Sequence, residues 1–251
     1  MNPLPSTSNV LTTLFRADMT TQWRNRRSFV LVLLVPCIIL VSTKNKVDET
    51  RGAAGPYIMA MCITIGLAAS CLMGYTLTVA RDRDKGVFQR LRVAPAPTWV
   101  IMGSRLLVQL CMILLVSIGV FIVGAYIDQI RLTPGAYAMA LVTSLAGAAV
   151  FLGLGQLIVG LVRNPETVNA TTRLVYLVLI FVGLLGDTGQ LGPQFQKVAA
   201  WSPYGTVRQI MDAGMEPGAW TQTNTNALLV TLAYALVFGA IGIRKFQWGG
   251  R

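Results

Sequence analysis

Long uncharged stretches alternate with short charged ones along the chain, and the spacing of the charges predicts its helices. Between Arg27 and Lys44 lie 16 uncharged residues. At about 1.5 Å of rise each they cover roughly 24 Å, short of a hydrocarbon core of about 30 Å. Arg27 and Lys44 can snorkel to close the gap. Uncharged runs follow from Gly52 to Ala80, Leu106 to Ile127 and Leu132 to Val162, each long enough to span. A fifth run, between Arg173 and Asp187, has only 13 uncharged residues and spans if it starts near Val168 with Arg173 at the interface. The sixth runs from Pro217 to Ile243. The expected spans are about 28–43, 54–80, 104–127, 136–162, 168–186 and 220–243, in one domain covering 1–251. The first is expected to stay in the mature protein, because Lys44-Asn45-Lys46 stands where a signal peptide would have small residues.

Ahead of the first span, Leu11, Leu14, Phe15, Met19 and Trp23 recur at three- and four-residue steps, with Arg16, Thr20 and Arg24 on other faces. That pattern predicts an amphipathic helix in the cytoplasmic interface. The predicted fold class is an all-α membrane protein: six transmembrane helices, an N-terminal interface helix, a short cytoplasmic helix in the second loop and a folded outer segment between spans five and six.

Composition agrees, with 54% apolar and 12% charged residues. Histidine is absent, which removes His-based acid/base chemistry, His metal sites and Ser-His-Asp triads. Cys37, Cys62, Cys71 and Cys111 sit in apolar runs and read as small buried hydrophobes. Of the 21 Lys and Arg, 15 fall on the side of the termini, the second loop and the fourth loop, against 6 opposite. The positive-inside bias then places both termini in the cytoplasm, and the expected location is the plasma membrane (bacterial inner membrane). The net +11 lies wholly on the inner side, where it serves topology and attraction to anionic membrane lipid; no nucleic-acid partner is expected.

The second loop carries the most specific signal. Two acids open a short helix, Val87, Phe88 and Leu91 form one apolar face, Gly86 punctuates it and Pro95 closes it. Such a helix fits a groove on another protein. The stretch resembles the coupling helix of ABC type-2 exporter permeases, roughly Arg-Glu-x-Gly-Thr, three residues, Leu, two residues, a hydroxyl residue, then Pro. Arg83, Asp84, Gly86, Leu91 and Pro95 match that spacing, with Asp84 for Glu, Val87 for Thr and Ala94 for the hydroxyl residue. Arg163-Asn164-Pro165-Glu166 is similar to the family's Pro-Glu before helix five. Trp201-Ser202-Pro203-Tyr204, followed by Arg208, resembles its outer Asn-Pro-Leu-Thr-Tyr segment.

The resemblance implies a permease subunit that exports a lipophilic or amphiphilic cargo (a drug, a lipid or a lipid-linked glycan) by alternating access, as a homodimer or with a similar chain. No cofactor is expected in this chain; ATP and Mg belong to a partner ATP-binding cassette subunit. Arg83, Asp84 and Lys85 would set docking polarity, and Val87, Phe88 and Leu91 would supply the buried contact. By the same resemblance helices two and five line the path, making Met59, Ile63, Met73, Tyr176 and Phe181 candidates for cargo contact, and Asp187 to Glu216 folds back as re-entrant helices. Gly66, Ser70 and Gly74 form a small-residue ridge for close helix approach, within the chain or across a dimer axis.

No G-x-x-x-x-G-K-[ST] occurs, so no P-loop cradles a nucleotide, and the chain is not expected to be an enzyme. No Asp, Glu or His lies within a hydrophobic span, so the carboxylate typical of proton antiport is missing. The alternative is a stand-alone ion-coupled carrier or channel, with Pro36 and Gly153-Leu154-Gly155-Gln156 supplying backbone carbonyls.

Overall fold

The structure, a computed structural model, describes residues 7–24, 26–43, 55–87, 98–126, 129–216, 218 and 220–246, all helical or in short connections. Helix α1 (Thr7–Arg24) precedes α2 (Arg26–Ser42), which contains Pro36. Next come α3 (Gly55–Leu67), a π-helical segment (Ala68–Gly74) and α4 (Tyr75–Asp84), continuous with one another, and then α5 (Thr98–Tyr126) and α6 (Pro134–Leu161). The chain continues as α7 (Pro165–Thr188), the short α8 (Pro193–Ala200) and α9 (Pro203–Met215), and α10 (Gln222–Lys245).

Local chemistry sets several of these ends. The Thr133 hydroxyl accepts from the Ala136 amide at the start of α6, and Asn164 accepts from the Glu166 amide at the start of α7, each just before a proline at the first helical position. Glu166 lies in the first turn of α7, where the helix dipole favours an anion. These caps explain why α7 begins at Pro165 rather than near 168. The fifth span is therefore 24 residues long and no longer the short one.

Five stretches among the described residues are long and apolar enough to cross a membrane: Gly55–Asp84, Gly103–Tyr126, Pro134–Leu161, Pro165–Thr188 and Gln222–Lys245. Helix α2 has 17 residues and is shorter. The α3–π–α4 span is the hub of the bundle. Met59, Ile63, Leu67 and Leu72 are fully buried there, and α2, α5, α6, α7 and α9 pack around it. Helices α7 and α10 lie outermost, with Leu174, Leu177, Phe181, Leu229 and Leu236 exposed, an arrangement suited to hydrocarbon rather than water.

The tightest pairing is α6 on α10. A Cβ on Gly160 would stand 2.6 Å from the Gly242 carbonyl oxygen, and one on Gly242 2.6 Å from the Leu157 nitrogen. Only small residues allow backbones this close. Of the ridge expected on the second span, Gly66 meets Val116 and Pro36 and the Ser70 hydroxyl accepts from Gln109, whereas a Cβ on Gly74 would meet only the Ala69 carbonyl oxygen of its own span, at 3.7 Å.

Candidate functional site

The second span continues to Asp84, beyond the expected end at 80, because its last turn is held inside the protein. Arg83 is only 4% exposed. Its guanidinium donates to the carbonyls of Val159 at 2.8 Å, Val162 at 2.8 Å and Arg163 at 2.6 Å. The end of a helix leaves its last carbonyls without intrahelical partners, and a forked cation satisfies several at once. Arg83 thus ties the foot of α4 to the corner between α6 and α7. Expected on the docking surface, this side chain instead points into the bundle. Asp84 and Lys85 are exposed, while Gly86 and Val87 are half-buried. Gly86 has a φ of 67°, a left-handed conformation that glycine adopts without a Cβ clash, which accounts for the punctuation read in the sequence. Phe88, Leu91 and Pro95 lie outside the described residues.

Beside this foot, Asp82 pairs with Arg105 of α5 at 2.6 Å. The Ser104 hydroxyl donates to Asp18 of α1 at 3.1 Å. Burial lifts the Asp18 carboxyl above the ordinary carboxylate range, while Arg105 and the Ser104 hydroxyl pull it down and Asp82 adds to the rise. A cleft of about 400 Å³ opens between α1, α4 and α5 over these groups. Deeper in the same interface, Gln109, 2% exposed, donates to the Ser70 hydroxyl at 2.9 Å and to the Cys71 sulfur at 3.3 Å within the π-helical segment. Tyr75, just below it, donates to Gln156 of α6 at 3.0 Å.

A second polar centre closes the opposite end. Arg208 of α9 pairs with Asp187 of α7 at 3.0 Å and lies 4.9 Å from the centre of the Tyr57 ring of α3. Helix α9 starts at Ser202, whose hydroxyl accepts from the Gly205 amide, and it buries Tyr204, Val207, Ile210 and Met211 against the bundle. Burial pushes the Tyr204 phenol far up. Burial also raises the Asp212 carboxyl, against the pull of Arg208.

Of the cargo-contact candidates, Met59 and Ile63 are fully buried in the hub, Met73 and Tyr176 are half-buried, and Phe181 is 59% exposed on the outer face of α7. The structure does not gather them into one cavity. Sequence reasoning missed the Asp18, Asp82, Arg105 group and the role of Gln109. The only local signal was a polar residue every four positions, Arg105 and Gln109, at the start of an apolar helix.

Comparisons with known proteins point the same way. The Bacillus subtilis (strain 168) protein named "Putative transport permease YvfS" is 26% identical over 238 residues, covering 92% of this chain and 94% of that protein. The family described as "ABC-2 type transporter" matches residues 9–215, from α1 through the buried helix α9. With most of its length so matched, and with several helices long and apolar enough to cross a bilayer, the chain belongs to the ABC-2 type transporter family of multi-pass membrane permeases.

Proposed function

We propose that the chain is the membrane-spanning subunit of an exporter whose ATP is hydrolysed, with Mg, by a separate cassette subunit docked at the second loop. Both termini face the cytoplasm, α2 completes six spans, and α8 with α9 forms a re-entrant cover at the outer end. The cargo is lipophilic or amphiphilic, and two copies of the chain flank its path.

The observation that carries this reading is the Arg83 clamp. A force applied to the loop after α4 reaches the α6–α7 corner through three hydrogen bonds to a buried, rigid cation rather than through a flexible tether. The loop itself presents Asp84 and Lys85 outward and turns at Gly86, leaving the apolar face expected at Val87, Phe88 and Leu91 to enter a groove on the partner. Loop, foot and corner then move as one body, and alternating access follows as rigid-body displacement of α4, α6 and α7.

The test is Phe88→Ala and Arg83→Lys in the reconstituted permease–ATPase complex. Phe88→Ala is expected to lose partner binding and transport together. Arg83→Lys keeps the charge but not the fork. It is expected to retain partner binding while moving less cargo per ATP hydrolysed. Transport by the chain alone under an ion gradient, without nucleotide, would overturn the reading.

A further inference from the structure

An arginine fastens each end of the bundle, and the two fasten differently. Arg83 spends its guanidinium on three carbonyls. Arg208 makes one ionic bond, Nη2 to Asp187 Oδ1 at 3.0 Å, with its side chain 12% exposed. A forked guanidinium can close on both oxygens of a carboxylate, and this one does not. Asp187 Oδ2 and Arg208 Nε are buried without a hydrogen bond to any described residue, and so is the phenol oxygen of Tyr204 beside them. Buried polar atoms left unbonded cost stability, and water entering the junction would satisfy all three. Parting Asp187 from Arg208 therefore costs less than releasing Arg83.

The pair also lies on a seam. Helix α8 packs on α7, with Ala199 seated against Gly186, whereas α9 packs chiefly on α6, α3 and α10 and only lightly on α7. Across the seam the Tyr204 ring rests on Gly183, where α7 offers no side chain to interlock with it. Gln209 donates to the Ala200 carbonyl at 2.7 Å over the α8–α9 turn, which leaves that turn as the hinge. We propose that Asp187 and Arg208 form the releasable latch of the outer cover, joining the α7–α8 half to the α9 half in the closed arrangement and parting when cargo leaves. The Tyr57 ring, 4.9 Å from the guanidinium carbon of Arg208, holds the cation in place while the carboxylate withdraws, so that the latch can close again. The inference rests on the outer cover and the ATP-driven cycle proposed above, but its first measurement needs neither nucleotide nor partner.

The experiment follows Cys62 of α3, fully buried and close to the Tyr204 phenol, with the equally buried Cys71 of the π-helical segment as control. The full chain in lipid nanodiscs is treated with a charged methanethiosulfonate, which reports access from water, and labelled peptides are counted by mass spectrometry. Arg208→Gln and Asp187→Asn are each expected to speed labelling of Cys62 about tenfold while Cys71 stays protected. Arg208→Lys, which keeps a cation on Asp187, should return Cys62 to near the wild-type rate. In the wild-type permease–ATPase complex, trapping with ATP, Mg and vanadate should speed Cys62 to the rate of Arg208→Gln. Faster labelling of both thiols would make the pair a plain structural fastening and overturn the latch. So would an unchanged Cys62 in the two neutral variants, or no recovery in Arg208→Lys. A wild-type complex that hydrolyses ATP yet keeps Cys62 protected when trapped also overturns it, whereas one that neither assembles nor hydrolyses overturns the exporter reading instead.

Discussion

Arg83 serves three carbonyl oxygens at the end of α6 and just beyond, and its loss leaves them without this partner in a partly buried corner. Arg83→Ala is expected to destabilise the chain by about 1.5–3 kcal/mol, read as a lower midpoint of thermal unfolding in detergent. Arg83→Lys should recover part of that stability, since one ammonium can reach some of the same acceptors. At Gly86 the φ of 67° opposes any Cβ, so Gly86→Val should cost about 1–2 kcal/mol locally and reduce transport while membrane insertion stays normal. Asp18 gives a pH signature. Its carboxyl is raised mainly by burial, so the charged form costs stability above the folded-state pKa, and that cost disappears as pH falls through it toward the ordinary value. Asp18→Asn should therefore raise the unfolding midpoint at neutral pH, with the gain shrinking on acidification to about pH 4. A gain independent of pH would mean that burial of the charge is not its origin.

Two helical elements depend on geometry more than on composition. The π-helical segment Ala68–Gly74 carries one more residue per turn than an α-helix would, and the Tyr75 amide bonds back to the Ser70 carbonyl across it. Gln109 braces this segment through Ser70 and Cys71. Inserting an alanine after Ala69, which the already widened turn cannot absorb, should turn α4 by about 100° relative to α3. Arg83 would then face away from the α6–α7 corner, with a loss of transport larger than that of Gln109→Leu, which removes only the brace. The α6–α10 contact works by absence of side chains. Gly242→Leu has backbone on the facing helix rather than a movable side chain, so α10 should be forced outward and folded yield should fall in fluorescence-detected size exclusion.

For the molecule as a whole, the unburied apolar faces of α7 and α10 raise the question of what covers them. In the proposed dimer α7 lies near the two-fold axis and α10 faces lipid. A cysteine at Phe181, exposed on α7, is then expected to cross-link to its own copy in native membranes, whereas one at Leu236 on α10 is not. The reverse pattern would exchange the two faces. Charged groups collect at the ends of the bundle: Asp18, Asp82, Arg83, Arg105 and Arg163 meet at one end, and Asp187 and Arg208 pair at the other. An apolar middle between two polar ends is the pattern a bilayer imposes, and it makes each end cluster a fastening point between helices.

From residues alone came the apolar runs, the helix that carries Leu11, Leu14, Phe15, Met19 and Trp23, and the turn at Gly86, because hydrocarbon thickness, helical period and glycine's backbone freedom are all written in local order. What lay beyond local reading was partnership across the chain. The motif in the second loop offered Arg83 and Asp84 as equivalent outward charges. Only the packing of α4 against α6 and α7 turned one inward onto Val159, Val162 and Arg163 and left the other in the open. Likewise Met59 and Ile63 share a composition with path-lining residues, yet their burial depends on α2, α5, α6 and α9 closing around α3. Sequence spacing specifies which face of a helix a residue occupies; which neighbour that face meets is settled by the assembled bundle, where close approach and buried hydrogen bonds decide between alternatives of equal hydropathy.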